Sequence, residues 1–296
     1  MNILGLMRLV ALERFGRDTL SREPEPSLVM DSQQNVDAFD QQGEQEGLLL
    51  PIYHFSALAI SRLLPPGGRL LDLGSGSGRL LAYLAKGRPD LEIIGLELSK
   101  PMVDAGNRML EQAGLLPRVR LQQGDMTDFV HAGLVRIDGI SVNLALEHLP
   151  DFAAVQSFVA QVQQFVVAFD CGFWLFNHSR PKTLAAANLF PEVFTPDAPA
   201  SFREDSRNSL IASWRFSELL PLFRSVLGER LQGRLSHVLP LYQAFWLDPS
   251  RRPPALDGLW HGPARPAGAA GQQFASFRAF LMPNVPLDTP RRNAGR

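Results

Sequence analysis

The sequence predicts an α/β fold in which helices cover both faces of a mostly parallel sheet. Over residues 70–176, short apolar runs alternate with segments of helical character. This alternation is typical of parallel strands joined by crossover helices. The first apolar run ends in a glycine turn, Gly-Ser-Gly-Ser-Gly at residues 74–78. Open sheets of this kind bind ligands at the carboxyl ends of their strands, so we expect a doubly wound sheet with a ligand site beside this turn.

Composition narrows the class of protein. With 45% hydrophobic and 20% charged residues among 296, the chain can bury a sizeable core. A formal net charge of -1 provides no general attraction to nucleic acid or to an anionic membrane. The single cysteine, Cys171, excludes a disulfide framework, and the six histidines are scattered along the chain, so no metal site is predicted.

Targeting segments are not evident in the sequence. Residues 1–16 lack the basic start and the small-residue cleavage site of a signal peptide. We also expect no apolar run to reach the ~18 residues that a membrane span needs. These observations predict a cytoplasmic protein without nucleic-acid or membrane partners, and they leave its oligomeric state open.

Residues 1–50 are predicted to form an N-terminal helix and a lid segment. The helix would be short, amphipathic and docked on the body through its apolar positions, Ile3, Leu4, Met7, Val10 and Leu12. Residues 21–48 hold seven acids but one base, Arg22, together with many glutamines. Because such a composition buries little apolar surface, we expect a mobile segment that acts as a lid.

Residues 51–180 are predicted to form the core of the sheet. Its strands are expected at residues 70–73, 91–98, 119–123, 137–144 and 172–176. The accompanying helices are expected at residues 48–64, from Arg79 onward, at 101–113 and at 152–169. A Pro-Pro-Gly-Gly run ends the first of these helices, and Asp151 is positioned to cap the last.

The chain after the core is expected to cover the site and then complete the sheet. Residues 181–215 break the alternation, are rich in Pro, Ala and aromatic residues, and predict a helical cap insertion. Residues 216–248 form the end of the core sheet, with a helix at 216–227. Two paired antiparallel strands at 231–237 and 241–247 bring the predicted sheet to seven strands.

The tail at residues 249–296 differs in composition from the rest of the chain. It contains eight prolines and seven arginines but two acids. We expect one docked helix at residues 273–281 and frayed final residues; the tail arginines could bind an anion, but a solvated, disordered end is favoured.

Acidic side chains lie near the carboxyl ends of the first two predicted strands. Asp72 lies inside an apolar strand two residues before the first glycine of the turn, and a buried carboxylate needs partners, so we expect it to face the site. Glu97 ends the second strand, where its carboxylate can accept hydrogen bonds from both hydroxyls of a ribose. A dinucleotide fingerprint would require glycine at position 79, but Arg79 occupies it, which disfavours NAD.

Polar residues also end the third and fourth predicted strands. Asp125 can accept from an exocyclic amine of adenine, while Met126 and Leu98 would lie on either face of the ring. Asn143 ends the fourth strand, where the reacting group of a bound ligand would lie. One such residue would be an ordinary surface group, but polar residues at the ends of four consecutive strands predict one nucleotide-like ligand site.

Four motifs together resemble a known family. They are LLDLGSGSGR, IIGLELSKPMVDAGNRM, VRLQQGDMTDF and DGISVNLALEHLPD. In order and spacing they resemble the class I S-adenosylmethionine-dependent methyltransferases of the small-molecule type, over about residues 51–177. Residues 202–220 are more weakly similar to a cap segment of such enzymes. The resemblance implies a Rossmann-like sheet with a C-terminal antiparallel hairpin, and S-adenosyl-L-methionine as cofactor.

The resemblance also implies a set of cofactor-binding residues. They are Tyr53, Asp72, Gly74, Ser75, Gly76, Glu97, Leu98, Met102, Asp125, Met126, Asn143 and Leu144. Asp72 would bind the amino end of the methionine, Glu97 the ribose, and Asp125 the adenine. Asn143 and Leu144 would line the exit of the methyl group.

One histidine is a candidate catalytic residue. His148 follows the fourth strand by one turn and titrates near neutral pH, so it is a candidate general base. His178, at the end of the fifth strand, is a rival base on the same reasoning. The alternative is structural, with His148 bonding backbone groups at a helix entry or orienting the cofactor.

The methyl acceptor follows only by elimination. Residues 143–146 are Asn-Leu-Ala-Leu rather than the Asn-Pro-Pro-Tyr type of amino-directed DNA and peptide enzymes. No basic, aromatic-interleaved stripe indicates nucleic acid, and a lone cysteine argues against arsenic methylation. In-line methyl transfer to a small organic acceptor is the predicted activity.

Two alternatives to this activity remain open at the level of the sequence. An aminopropyl transferase of the same fold would need an acidic groove, and residues 143–146 contain no acid. A protein that binds S-adenosylmethionine in a regulatory or scaffolding role, without catalysis, would carry the same binding motifs.

Overall fold

The computed structural model describes residues 3–26, 48–129, 136–251 and 258–289, and within these ranges the strands form one sheet. The seven strands are β1 (Arg69–Leu73), β2 (Glu92–Glu97), β3 (Val119–Gln123), β4 (Gly139–Asn143), β5 (Gly172–His178), β6 (Gln232–Leu235) and β7 (Tyr242–Leu247). Their order across the sheet is β3-β2-β1-β4-β5-β7-β6. The pairs among β1 to β5 are parallel, whereas β7 is antiparallel to both β5 and β6. The predicted doubly wound, seven-stranded sheet with a C-terminal antiparallel hairpin is confirmed.

Helices alternate with these strands as the sequence predicts. Those in the described residues are α1 (Ile3–Phe15), α2 (Leu50–Leu63), α3 (Arg79–Gly87), α4 (Lys100–Gln112), α5 (Phe152–Phe169), α6 (Leu184–Phe194), α7 (Ala200–Ala212), α8 (Phe216–Leu227) and α9 (Gly268–Ser276). The bounds of α5 and α8 are the predicted ones, and the Asp151 side chain caps α5 by accepting from the Ala154 amide at 2.8 Å.

The two faces of the sheet support two separate apolar layers. Because side chains alternate along a strand, Trp174 and Phe176 of β5 point to one face and Phe173 to the other. On the first face they meet Phe55 of α2, with ring centroids 5.7 and 5.4 Å away. On the second face Phe173 meets Phe223 of α8 at 6.3 Å. Helices on both sides therefore cover the sheet.

Helix α5 requires one correction to the sequence analysis. Its 18 residues are long and apolar enough to cross a membrane by length and composition, although no such run was expected. One side of the helix is buried in the core, through Val155, Phe158, Val159, Val162 and Phe165. A core helix that packs on a sheet meets the same criteria of length and composition.

The N-terminal helix forms, but its apolar residues are not all docked. Val10 and Leu12 pack against the core as predicted, whereas Ile3, Leu4 and Met7 are exposed. The prediction for these last three residues is therefore wrong. The helix docks through Gly5, Leu9 and Glu13, which lie four residues apart and so share one face.

The N-terminal segment, residues 17–26, runs from this helix across the cap. Arg22 holds it in place by donating to the carbonyl oxygens of Ala212 at 2.6 Å and Pro150 at 2.7 Å, and its guanidinium lies 3.8 Å from the centre of the Trp214 ring. Residues 21–26 of the predicted lid are thus anchored. Residues 27–47, which make up most of that lid, lie outside the described residues.

The described part of the tail, residues 258–289, is packed on the body, and the docked helix expected at residues 273–281 begins earlier, at Gly268. Helix α9 and the residues after it bury Phe274, Phe277 and Met282 against the core. The buried Asp288 carboxylate accepts from the Ser61 hydroxyl of α2 at 2.7 Å. Helix α2 is buried along almost its whole length, and the tail supplies part of the cover that it needs.

Candidate active site

The glycine turn joins β1 to α3 and brings the backbone close to two other elements. Gly74 has a φ of +70°, in the left-handed region that favours glycine. A Cβ atom at this position would lie 2.5 Å from the Ala145 Cβ and 2.9 Å from the Met126 Cε. Both the conformation and the close approach therefore require glycine here. The turn ends where α3 begins, at Arg79, so the N-terminus of this helix, a position that favours anionic groups, lies next to the turn.

Asp72 lies at the base of the site with a buried partner. The register of β1 and β4 sets it beside Ser141, whose hydroxyl donates to the Asp72 carboxylate at 2.5 Å. Burial raises the pKa of Asp72 to about 6, since desolvation disfavours the charged form. Ser141 was not identified from the sequence, although it is the one hydroxyl between the apolar Ile140 and Val142 of β4.

Glu97 connects the end of β2 to the glycine turn. One carboxylate oxygen accepts from the Gly76 amide at 2.8 Å, and the other accepts from the Ser99 amide at 2.9 Å. Each carboxylate oxygen has a second lone pair for a further hydrogen bond. The carboxylate is thus fixed by the backbone in a position from which it can accept from two hydroxyl groups.

Asp125 and its neighbours form the wall at the end of β3. One Asp125 carboxylate oxygen accepts from the amide and the hydroxyl of Thr127, both at 2.7 Å. Leu98 is exposed toward the cavity, Met126 is half-buried, and Met102 is buried behind them. All three line the cavity at the wall where the sequence predicts a planar ring.

The chain turns sharply where β4 ends. Leu144 has a φ of +50°, which is uncommon for a residue other than glycine and costs conformational energy. Its amide donates to the Phe176 carbonyl at 2.8 Å, and the amides of Ala145 and Leu146 donate to the Asn177 side-chain oxygen at 3.1 and 3.3 Å. Strand β5 thus imposes the turn, and Asn177 is a supporting residue that the sequence analysis missed.

His148 follows this turn and is paired with a residue from the N-terminal segment. Its Nδ1 forms a short hydrogen bond with one Glu25 carboxylate oxygen, and the other oxygen accepts from the Ser209 hydroxyl at 2.6 Å. Burial alone would lower the pKa of His148, but the hydrogen bond and charge of Glu25 raise it to about 9. A histidine that is protonated at neutral pH cannot accept a proton, so this geometry disfavours the general base; the ring is paired with a carboxylate, a partner that the sequence analysis did not predict.

His178, the rival candidate, is uncharged at neutral pH. Burial lowers its pKa to about 4. Its ring packs 5.0 Å from Tyr242 and 5.7 Å from Phe190, measured between ring centroids. His178 is therefore part of an aromatic wall.

A single cavity of about 1280 Å³ joins these features. All twelve predicted cofactor residues line it, as do His148 and His178. One half lies along the carboxyl ends of β1 to β3 and contains the glycine turn. The other half is enclosed by the cap, the N-terminal segment, Tyr53 of α2 and the end of the tail. In this second half lie four acids that the sequence analysis did not identify, Glu25, Glu147, Asp197 and Asp205.

Comparison of the sequence with those of known proteins finds methyltransferases among its relatives. Residues 70–168 match the methyltransferase domain family. Over 79 residues the chain is 33% identical to a tRNA (guanine-N(7)-)-methyltransferase of Synechococcus sp.. The aligned region covers 27% of this chain and 26% of that protein. Over 96 residues it is 33% identical to trans-aconitate 2-methyltransferase of Deinococcus radiodurans, 31% of this chain and 33% of that protein. The chain therefore matches only a quarter to a third of the length of these relatives.

The fold extends further than the sequence similarity. The structure of the plantazolicin methyltransferase BpumL in complex with a monoazolic desmethylPZN analog and SAH superposes with a TM-score of 0.54. The match covers 83% of this chain and 96% of that chain at 12% identity, so it establishes the fold.

Fold, glycine turn and strand-end acids together define a Rossmann-like domain built to hold a nucleoside. The domain at residues 70–168 belongs to the class I S-adenosylmethionine-dependent methyltransferases, and S-adenosyl-L-methionine is the cofactor of that class. The residues present fit this cofactor, because the backbone fixes the Glu97 carboxylate where it can accept from two hydroxyl groups, and the apolar side chains of Leu98 and Met126 line the same cavity.

Proposed function

We propose that this chain transfers the methyl group of S-adenosylmethionine to a small organic acceptor. The observation that carries the proposal is the cavity, which extends from the predicted cofactor residues to a second, enclosed half. Its volume of about 1280 Å³ exceeds the roughly 300–1,000 Å³ of common small-molecule sites. The cavity therefore has room for a cofactor and an acceptor side by side.

The charge of the cavity supports a small acceptor over a nucleic acid. Among the described residues that line it, seven are acidic and Arg79 is the only lysine or arginine. Binding to a nucleic-acid backbone depends on lysine and arginine contacts to phosphates. One relative is named a tRNA methyltransferase, but an acidic cavity of this kind would repel phosphates.

Methyl transfer places limited demands on the protein. The bound cofactor supplies an electrophilic methyl group on a positively charged sulfur. The chain must hold cofactor and acceptor in line and exclude water. Asp72 and Glu97 would bind the polar ends of the cofactor, and the turn at Leu144 would position the wall near the methyl group. The cap and the N-terminal segment would keep water out.

The test is incubation of purified protein with S-adenosylmethionine that carries a labelled methyl group, together with an extract of small metabolites. The proposal predicts label in a small product, and reduced transfer by the Glu97→Ala variant at a cofactor concentration that does not saturate it. Binding of the cofactor without label transfer would favour the regulatory or scaffolding alternative. Label in RNA, after addition of total tRNA, would contradict a small acceptor.

A further inference from the structure

Three acids and a histidine converge in the second half of the cavity. Glu25 comes from the N-terminal segment, Glu147 and His148 follow β4, and Asp205 comes from α7 of the cap. Each interacts electrostatically with others of the group, since the charge of Glu25 affects the pKa values of Glu147, His148 and Asp205. With His148 protonated and paired to Glu25, the excess charge of this group is negative.

Glu147 is buried, and the Asn177 side chain satisfies only part of its carboxylate. Only 2% of the residue is exposed, and its Oε2 has no hydrogen-bond partner among the described residues. A buried carboxylate oxygen without a partner is costly, and such atoms call for an explanation. Since Glu147 lines the cavity, a ligand that enters the cavity can supply the missing donor.

The remaining wall of this half is aromatic. Phe190 packs on Phe194 at 4.7 Å and on Tyr242 at 6.1 Å between ring centroids, and all three line the cavity with Phe277. Aromatic faces attract cations as well as apolar groups. The site thus combines an apolar, aromatic enclosure with carboxylates at one side.

We propose that the methyl acceptor is an amine, a small molecule with a basic nitrogen on a mostly apolar body, and that the Glu147 carboxylate binds this nitrogen and takes its proton. This inference rests on the function proposed above and names the class of acceptor. A carboxylic acid would bring a further negative charge beside Glu25, Glu147 and Asp205. An alcohol would lack the charge that these three acids are placed to bind.

The reaction balances with this residue as proton acceptor. The amine enters as an ammonium ion and gives one proton to Glu147, which leaves a free lone pair on nitrogen. That lone pair forms the bond to the methyl carbon while the carbon–sulfur bond breaks and its electrons remain on sulfur. The products are an N-methylammonium ion and a neutral thioether. Burial raises the pKa of Glu147 to about 7, which makes it a stronger proton acceptor than an ordinary carboxylate.

The test is a comparison of three probes of one shape on protein saturated with S-adenosylhomocysteine. The probes are 4-phenylbutylamine, 4-phenylbutanol and 4-phenylbutyrate, and calorimetry at pH 8 measures their affinities. We expect the amine to bind at least about tenfold more tightly than the alcohol, and the carboxylate to bind most weakly. Equal affinities, no binding of the amine, or a preference for the carboxylate would each overturn the inference.

Variants of the acidic residues test whether these residues cause the preference for the amine over the alcohol. Glu147→Gln keeps the shape of the side chain and removes its charge, and should reduce the preference for amine over alcohol to less than about threefold. Asp205→Asn should reduce it in the same direction, and serves as a second variant if Glu147→Gln does not fold. Glu111→Gln on the exposed side of α4 is the matched control and should change nothing.

The two proposals fail in different ways. If the wild-type protein does not bind S-adenosylhomocysteine, the proposed methyltransferase function fails first. If it binds S-adenosylhomocysteine but shows no preference for the amine, the function stands and the amine inference fails. An unchanged S-adenosylhomocysteine affinity in Glu147→Gln shows that the variant is folded.

Discussion

His148 and Glu25, which are 123 positions apart in the sequence, form an ion pair inside the cavity. The pair joins the end of β4 to the N-terminal segment, and Ser209 of the cap extends it through the second Glu25 oxygen. Three segments that are distant in sequence are therefore connected at one wall of the site.

This pair makes stability depend on pH in the alkaline range. The pKa of His148 rises from 6.5 to about 9 on folding, so the native state holds a proton that the unfolded state loses. The contribution of this proton to the free energy of unfolding is complete below pH 6.5 and is lost as pH rises toward 9 and above. After allowance for solvent screening, we expect the free energy of unfolding to fall by about 1–2 kcal/mol over this range.

Urea denaturation at pH 6.5 and pH 9.5 measures this effect. The decline should be much smaller in Glu25→Gln, because the partner that raises the pKa of His148 is then uncharged. Glu23→Gln, an exposed neighbour in the same segment, is the control and should retain the decline. An equal decline in Glu25→Gln and the wild type would show that the ion pair is not its source.

Glu97 should determine much of the cofactor affinity. Glu97→Ala removes charge-assisted hydrogen bonds worth roughly 1.5–3 kcal/mol each, so the affinity for S-adenosylmethionine should fall at least about tenfold. Calorimetry measures this change. Glu92→Ala, at the exposed opposite end of the same strand, should bind as the wild type does. Unchanged binding by Glu97→Ala would refute the assignment.

Gly74 should be sensitive to a single added methyl group. Gly74→Ala places a Cβ 2.5 Å from that of Ala145 at a φ of +70°, so it combines steric overlap with backbone strain. The matched control is Gly114→Ala, where φ is +68° and nothing lies within 4 Å. The control measures the loss of stability from backbone strain alone, about 1–2 kcal/mol. Chemical denaturation should show a larger loss for Gly74→Ala, and calorimetry a loss of cofactor affinity; two equal losses would exclude a role for the contact.

Asp288 should matter to stability although it lies in the tail. Asp288→Ala leaves the Ser61 hydroxyl and the Gly258 amide without their carboxylate partner, and we expect a loss of about 1–3 kcal/mol. Asn284→Ala, an exposed change four residues earlier, should cost little. Thermal denaturation of both variants measures the difference. A stability equal to that of the wild type for Asp288→Ala would mean that the tail does not contribute to the fold as described.

The cofactor half of the site could be predicted because it is local in sequence. Asp72 and Gly74 lie two residues apart, and the remaining residues follow single strands at their carboxyl ends. Parallel strands place those ends at one edge of the sheet, so a linear pattern is sufficient to bring them together.

Predictions from composition were less successful. The tail is rich in proline and arginine, which indicated solvation, but its few apolar residues are spaced to pack on α2. In the N-terminal helix the apolar residues outnumber the positions that can face the body, so Ile3 and Leu4 remain exposed. Composition shows how much apolar surface a segment has, whereas packing decides which part of it is buried.

The sequence by itself determined the order of strands and helices, the glycine turn and the class of cofactor, because each depends on residues a few positions apart. Only the tertiary structure decided what surrounds the acceptor half. Glu25, Glu147 and Asp205 belong to three segments without a common motif, and they meet because the N-terminal segment and the cap fold over one edge of the sheet. Burial in that enclosure, rather than residue type, changes the pKa values of Glu147 and Asp205, and burial is a property of the folded chain alone.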